Sequence, residues 1–298
     1  MTFHEILAAA GVGGIAGALG TLASTVLKDL LIPRYLEQWR SRRELARIFR
    51  KYKDPILLSS TELFYRIDEL FVTEFNYLER DSPAESSEIT RSPAFSESFY
   101  ESSFYRQYKF ESTLYRFCAF LGWLEVYRTE GRFLNAESEH LASRLDAKID
   151  RIQSFLADRK LNGTQNWRDW NDRVIFREEQ RAIGQMMLAV AFDKDVSVVG
   201  YKDFCDTVLP SKTRWVQIVE SFFDGVRSTL QNDFRLIRIH GLCIFLIDVI
   251  RDLRVLTRDS PLLSRRKEHL EMLRHHVSQH RNLALFLYRP DDLNPASF

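Results

Sequence analysis

Cysteine and net charge are both scarce in this sequence. Its 298 residues include only 3 cysteines, which lie far apart and form no CxxC pair. Neither a disulfide framework nor a thiolate zinc site is therefore indicated. The 42 Lys and Arg residues against 41 Asp and Glu residues leave a formal charge of +1. A chain without excess positive charge lacks the general attraction that drives nucleic-acid binding, so nucleic acid is disfavoured as a partner.

The motifs of several large enzyme classes are also missing. The sequence contains no GxxxxGK[ST], no GxGxxG after an apolar strand, no HExxH and no GxSxG. These absences disfavour the corresponding nucleotide-binding folds, zinc proteases and serine hydrolases, and no cofactor is predicted. What remains is an ordinary folded composition, with 45% apolar and 28% charged residues. A non-enzymatic role is favoured over an enzymatic one.

The longest stretch without an ionisable side chain covers residues 6–27. A helix of this length spans about 33 Å, close to the hydrocarbon thickness of a bilayer. The residues before it contain no Lys or Arg, unlike the start of a signal peptide. Residues 1–32 are therefore predicted to be a retained transmembrane anchor. The alternative is a buried Ala- and Gly-rich helix of a soluble protein.

A basic stretch follows this segment. Residues 28–53 hold nine cations and three anions, so the positive-inside rule predicts an outside N-terminus and a cytoplasmic remainder. Residues 33–53 read as a juxtamembrane helix at the inner or plasma membrane, with anionic lipid as its partner. The alternatives are a basic solvated face or a nucleic-acid patch. The candidate headgroup contacts are Arg34, Arg40, Arg42, Arg43 and Arg47.

The predicted anchor has two unlike faces. Small residues recur at helical spacing along one stripe, and bulky aliphatic residues recur on nearly the opposite side. A small-residue face lets two helix backbones approach closely, which predicts self-association into a homo-oligomer. The small-residue stripe is Ala10, Gly13, Gly17, Gly20 and Ser24.

Helical periodicity continues through the rest of the chain, which we divide into a helical cytosolic domain at 54–288 and a tail at 289–298. Asp54-Pro55 has the form of a helix start, and a Ser- and Pro-rich mobile loop is predicted at 81–98. The apolar segment 236–256 is predicted to be the central core helix. Further helices are predicted at 104–129, 136–158, 177–191, 201–208, 211–231, 233–257 and 262–287. The fold class is all-α, an N-terminal transmembrane helix followed by a multi-helix bundle.

Four stretches carry a family resemblance: KYKDP running into LLSSTELFYRI near residue 51, STLYRFCAFLGWLEVYR at 112–128, FREEQRAIGQMM at 176–187 and RLIRIHGLCIFLIDVI at 235–250. Together they resemble a widespread family of single-span, mainly helical proteins of unknown function. The resemblance implies topology and fold, and no activity. One departure is Glu178, which stands where the family pattern has Gly before Glu179.

Two arginine–histidine pairs satisfy the loose Arg-x(4–6)-His pattern, namely Arg235 with His240 and Arg274 with His280. The pattern resembles the active motif of helical HEPN-type ribonucleases, in which Arg holds phosphate and His acts as acid or base. A core histidine is the default interpretation of His240, because it lies on the most apolar of the predicted cytosolic helices.

Three late histidines share one predicted helix face, His269, His276 and His280. This spacing could hold zinc or form a pH-sensitive patch, but a polar helix face is the default and no metal is predicted. The segment QRAIG at 180–184 could bind an anion or brace another helix, with Arg181 reaching toward Glu125 in the second case.

The leading functional hypothesis is a membrane-anchored, self-associating interaction or scaffold protein that presents its cytosolic domain to an unknown protein partner. Two alternatives stay open. One is a membrane-tethered HEPN-like ribonuclease, and the other is an oligomeric pore or membrane-perturbing effector.

Overall fold

The computed structural model describes residues 32–72, 103–131, 140–162, 173–190, 196–226, 233–254, 256–257 and 259–279. Residues 1–31 of the predicted anchor, the predicted loop at 81–98, His280 and the predicted tail lie outside these ranges.

Most of the described residues are helical, as the periodicity predicts. The helices are α1 (Ile32–Val72), α2 (Ser103–Gly131), α3 (His140–Ala157), α4 (Arg177–Met186), α5 (Tyr201–Asp203), α6 (Arg214–Phe223), α7 (Phe234–Leu253) and α8 (Pro261–Gln279). A 3-10 turn at Arg159–Asn162 follows α3, and a π turn (Phe204–Val208) and a 3-10 turn (Leu209–Ser211) follow α5. Two short strands, β1 (Leu188–Val190) and β2 (Val196–Val198), complete the order.

The strands correct the predicted helix at 177–191. That helix ends at Met186, and the chain then forms an antiparallel pair in which Leu188 lies opposite Val198. Val198 packs closely over Gly122 of α2, where an added Cβ would lie 3.1 Å from it. Branched side chains suit a pleated surface, so packing on α2 favours strand over a further helical turn.

The predicted helix start at Asp54-Pro55 is wrong. Residues 32–72 form one continuous helix with Pro55 inside it, so the predicted boundary between 53 and 54 is not a structural break. Proline costs a helix one hydrogen bond, but burial of Tyr52 and Ile56 fixes both sides of this position in the core. The Tyr52 hydroxyl also donates to Glu130 of α2. Tertiary packing thus overrides the local stop signal.

The predicted central helix is confirmed in α7, which packs against α1, α3 and α8. Residues 235–250 are buried on every face. Gly241 allows the close approach of α3, because a Cβ at this position would clash with the Phe155 ring. The charged residues of α7 must therefore find partners inside the bundle.

Arg238 shows how one of these charges is accommodated. Its guanidinium is fully buried and donates to the carbonyl oxygens of Phe155 at 2.6 Å, Leu156 at 3.2 Å and Asp158 at 2.6 Å. The last carbonyls of a helix have no partner within the helix, and Arg238 supplies donors to the end of α3. A side chain of α7 therefore caps another helix.

Candidate functional site

The exposed face of the first part of α1 carries a row of arginines. We call Arg40, Arg43, Arg47 and Arg50 the arginine stripe; all four are exposed and recur every three or four residues. The opposite face, including Leu45 and Ile48, is buried. Three predicted headgroup residues thus share one surface with Arg50, while the side chains of Arg34 and Arg42 lie outside the description.

Two arginines of the stripe have weak local contacts. Arg47 lies 3.6 Å from Glu44, and its side chain is 77% exposed. Arg50 donates from Nε to the carbonyl oxygen of Ala46. An exposed ion pair such as that of Arg47 contributes at most about 1 kcal/mol, so it leaves the charge of Arg47 open to an external anion.

Three buried histidines meet where α1, α7 and α8 pack together. We call His240, His269 and His276 the histidine cluster. The Nδ1 atoms of His240 and His269 are 3.0 Å apart, and the ring centroids of His240 and His276 are 5.5 Å apart. The ring of Phe71 stacks on His240 at 4.1 Å. The structure thus joins a residue of the predicted ribonuclease pair to two residues of the predicted metal set.

Burial favours the neutral forms of His240 and His269. It lowers the pKa of His240 well below its usual range, and the neighbouring His269 and His276 lower it further. Burial also lowers the pKa of His269 to about 4. The 3.6 Å contact between His269 Nε2 and Asp68 Oδ1 is therefore not an ion pair at neutral pH. Because one Nδ1 of the His240–His269 contact must accept the other's proton, charging both rings would break it.

The geometry gives no support to a metal site in the cluster. Among the described residues, no group of three His, Cys, Asp or Glu side chains could hold a metal ion. The third residue of the predicted metal set, His280, lies outside the description.

The proposed ribonuclease pair of Arg235 and His240 is occupied by structural contacts. Arg235 donates to the carboxylate of Asp233, with distances from 2.8 to 3.1 Å. Its remaining contacts are the carbonyl oxygens of Ser221, Phe222 and Asp224. These bonds fix the start of α7 and leave Arg235 9% exposed. Arg274 of the second pair is exposed on α8.

The segment 180–184 braces α4 in the way that its sequence suggests, but through different residues. A Cβ at Gly184 would lie 2.7 Å from the carbonyl oxygen of Leu121, so glycine permits the contact with α2. Gln185 rather than Arg181 reaches Glu125, with 3.0 Å between Nε2 and Oε1. Arg181 instead pairs with Glu178 at 3.0 Å.

Three arginines converge beside this brace. We call Arg128, Arg177 and Arg181 the arginine groove, because all three line a cavity of about 260 Å³ between α2, α3 and α4. A second cavity of about 520 Å³ is lined by Arg128 and Arg181 together with Glu125 and Gln185. The groove is therefore a concave polar surface with both signs of charge.

Of the three arginines of the groove, the sequence pattern predicts a binding or bracing role only for Arg181. The spacing of Arg177 and Arg181 puts both on one face of α4, which is a usable signal. Nothing in the local pattern connects them to Arg128, because that depends on how α4 lies against α2.

No family model, curated protein or solved structure matches the chain. The family resemblance of the four sequence stretches therefore stays a prediction. Within the described ranges, no helix has the length and apolarity needed to cross a bilayer.

Proposed function

We propose that the chain is a membrane-anchored helical interaction protein whose bundle is held against an anionic membrane surface by the arginine stripe. The observation that carries this proposal is the two-faced character of α1. Its arginines are exposed, while Leu45, Ile48 and Phe49 on the other face belong to the core. The helix that follows the predicted anchor is thus an integral part of the bundle.

This arrangement has a mechanical consequence. A rigid helix fixes the position of the bundle relative to the membrane, whereas a flexible linker would let the bundle move freely. Each cation near an anionic surface contributes about 1 kcal/mol of attraction, and salt screens it. The arginine stripe would therefore orient the bundle at the membrane.

The proposal can be tested by chemical labelling of arginine. The full chain is placed in nanodiscs of phosphatidylcholine alone or mixed with phosphatidylglycerol, treated with phenylglyoxal, and mapped by mass spectrometry. We expect Arg43 and Arg47 to react several-fold more slowly on the anionic discs, and high salt to reverse the protection.

Arg214 is the internal control, because its side chain is 74% exposed on α6 and does not belong to the stripe. Its labelling should not depend on the lipid. Equal labelling of Arg43 and Arg47 on both kinds of disc would contradict the proposal.

Self-association through the small-residue stripe is the second part of the proposal, and it rests on sequence alone. Replacing Gly13 and Gly17 with Leu should reduce crosslinking in membranes, because bulky side chains keep the two backbones apart. Leu19→Ala and Leu22→Ala on the opposite face are the matched controls. If the glycine variants crosslink as well as the wild type, assembly does not use this stripe.

A further inference from the structure

We propose that the arginine groove is a binding site for a small ligand that carries a phosphoryl group. The proposal is independent of the arginine stripe, which lies on exposed α1 surface. It rests on the shape of the groove, on the kind of partners that its arginines have, and on the number of N–H donors that they can offer a ligand.

The shape suits a small ligand with an apolar body. The smaller cavity has Leu45, Tyr127 and Ile149 in its lining beside the three arginines. The larger cavity, at about 520 Å³, lies within the range of typical small-molecule sites. A ligand can thus place a nonpolar part against these side chains and its charged group among the guanidiniums.

Two of the arginines have partners that an anion can replace. Arg177 pairs with Asp150 at 2.7 Å, and the Asp150 side chain is 61% exposed. Arg181 pairs with Glu178, whose side chain is 80% exposed. Surface pairs of this kind contribute little to stability, so displacing these carboxylates into water costs little.

The third arginine is held in place. Arg128 pairs at 3.0 Å with Glu125, which is buried and also accepts a hydrogen bond from Gln185. Its guanidinium bonds through a single terminal nitrogen, so its other N–H groups can serve a ligand. The Nε atom of Arg181 is buried and, among the described atoms, has no hydrogen-bond partner. A donor already removed from water gains from any acceptor that reaches it.

The charge of the ligand and the number of its acceptor oxygens favour a phosphoryl group over a carboxylate. A carboxylate ligand would replace the single negative charge of Asp150 or Glu178 with another single negative charge. A phosphate monoester carries close to two negative charges and three acceptor oxygens. One guanidinium group can bind two such oxygens at once through two parallel N–H hydrogen bonds. Asp146 also lines the cavity, and burial raises the pKa of its carboxyl.

The test measures binding of phenyl phosphate to the full chain in an uncharged detergent by calorimetry, with benzoate as the carboxylate of matching ring size. We expect saturable binding of phenyl phosphate and weaker binding of benzoate. Arg181→Gln and Arg177→Gln should each weaken binding about tenfold, the usual effect of losing a charge-assisted hydrogen bond. Arg181→Lys should recover part of the loss.

Arg265→Gln is the matched control. Arg265 pairs at 2.8 Å with Glu268 three residues on and is 43% exposed, but it lines neither cavity. Its substitution should leave the affinity unchanged. Thermal unfolding checks that each variant is folded, and Arg177→Gln carries the test alone if Arg181→Gln does not fold.

A second arm separates the two sources of the phosphoryl group. Binding of phenyl phosphate is measured in nanodiscs with and without phosphatidic acid. If phenyl phosphate binding is lost only on the phosphatidic acid discs, the ligand is a lipid headgroup. If binding is the same on both kinds of disc, the ligand is a soluble phosphate monoester. The proposal is overturned if neither source binds, if benzoate binds as tightly as phenyl phosphate, or if the groove variants bind like the wild type.

Discussion

Helix α7 and the arginine groove both contain arginines, but these arginines have different roles. Arg238 in α7 is fully buried and bonded to backbone carbonyls, whereas Arg181 in the groove is 36% exposed and bonded to an exposed carboxylate. The partners of Arg238 cannot leave without unfolding α3, but Glu178 can turn into water. What separates a structural arginine from a ligand-facing one is therefore whether its partner can be replaced.

The partners also differ in their distance along the chain. Asp248 of α7 binds Arg266 of α8 through two bonds of 2.9 and 3.0 Å, and Arg238 binds residues of α3. In the groove, Arg128 and Arg181 each pair with a residue three positions earlier, whereas Arg177 pairs with the exposed Asp150 of α3. Buried long-range pairs specify which helices meet, while local pairs only orient a side chain on its own helix.

The largest effect is expected from removing the buried guanidinium. Arg238→Met should lower the free energy of unfolding by about 3–5 kcal/mol, because it removes three charge-assisted hydrogen bonds to the carbonyls at the end of α3. Chemical denaturation of the full chain in mild detergent measures this loss. Arg181→Met, with an exposed partner, should cost less than about 1 kcal/mol. Equal losses in the two variants would remove the distinction between the two regions.

Acid should weaken the α7 region more than the groove. The pKa of His269 is about 4 in the folded chain against an ordinary 6.5, so folding favours the neutral ring. This contribution is complete above about pH 6.5 and is lost as the pH falls toward 4, which gives a loss of about 2 kcal/mol between pH 7 and pH 5. His240, whose pKa is also lowered, acts in the same direction.

Asp68 opposes this trend at the acidic end, because burial raises the pKa of its carboxyl and protonation relieves the cost. Thermal unfolding of wild type and His269→Gln at pH 7 and pH 5 isolates the histidine term. The variant should lose less stability on acidification, and identical losses would show that the cluster does not govern the acid response.

A smaller effect is expected at the base of the groove. Gly184→Ala places a methyl group against the Leu121 carbonyl, and we expect a net loss of about 1–2 kcal/mol after the gain in helix propensity. Gly200→Ala is the control, because nothing lies within 4 Å of the added Cβ and Gly200 lines neither cavity. Phenyl phosphate binding should fall in the first variant only. A fully stable Gly184→Ala protein would show that α4 can shift without cost.

Local sequence patterns predict some of these features and do not predict others. The apolar run at 236–256 correctly predicts a central helix. The local pattern predicts a helix start at Asp54-Pro55, because proline is costly inside a helix. The burial of Tyr52 and Ile56 outweighs this cost, and it is not visible in the local pattern. The local pattern also extends α4 into β1, since the packing of Val198 on Gly122 leaves no local signal.

The helical class and the position of the core helix follow from the sequence alone, because each depends on the period of residues within one element. Tertiary packing brings His240 to His269 and His276, and it brings Arg128 to Arg177 and Arg181. Those neighbours come from different helices, and their meeting depends on how the apolar faces pack against one another.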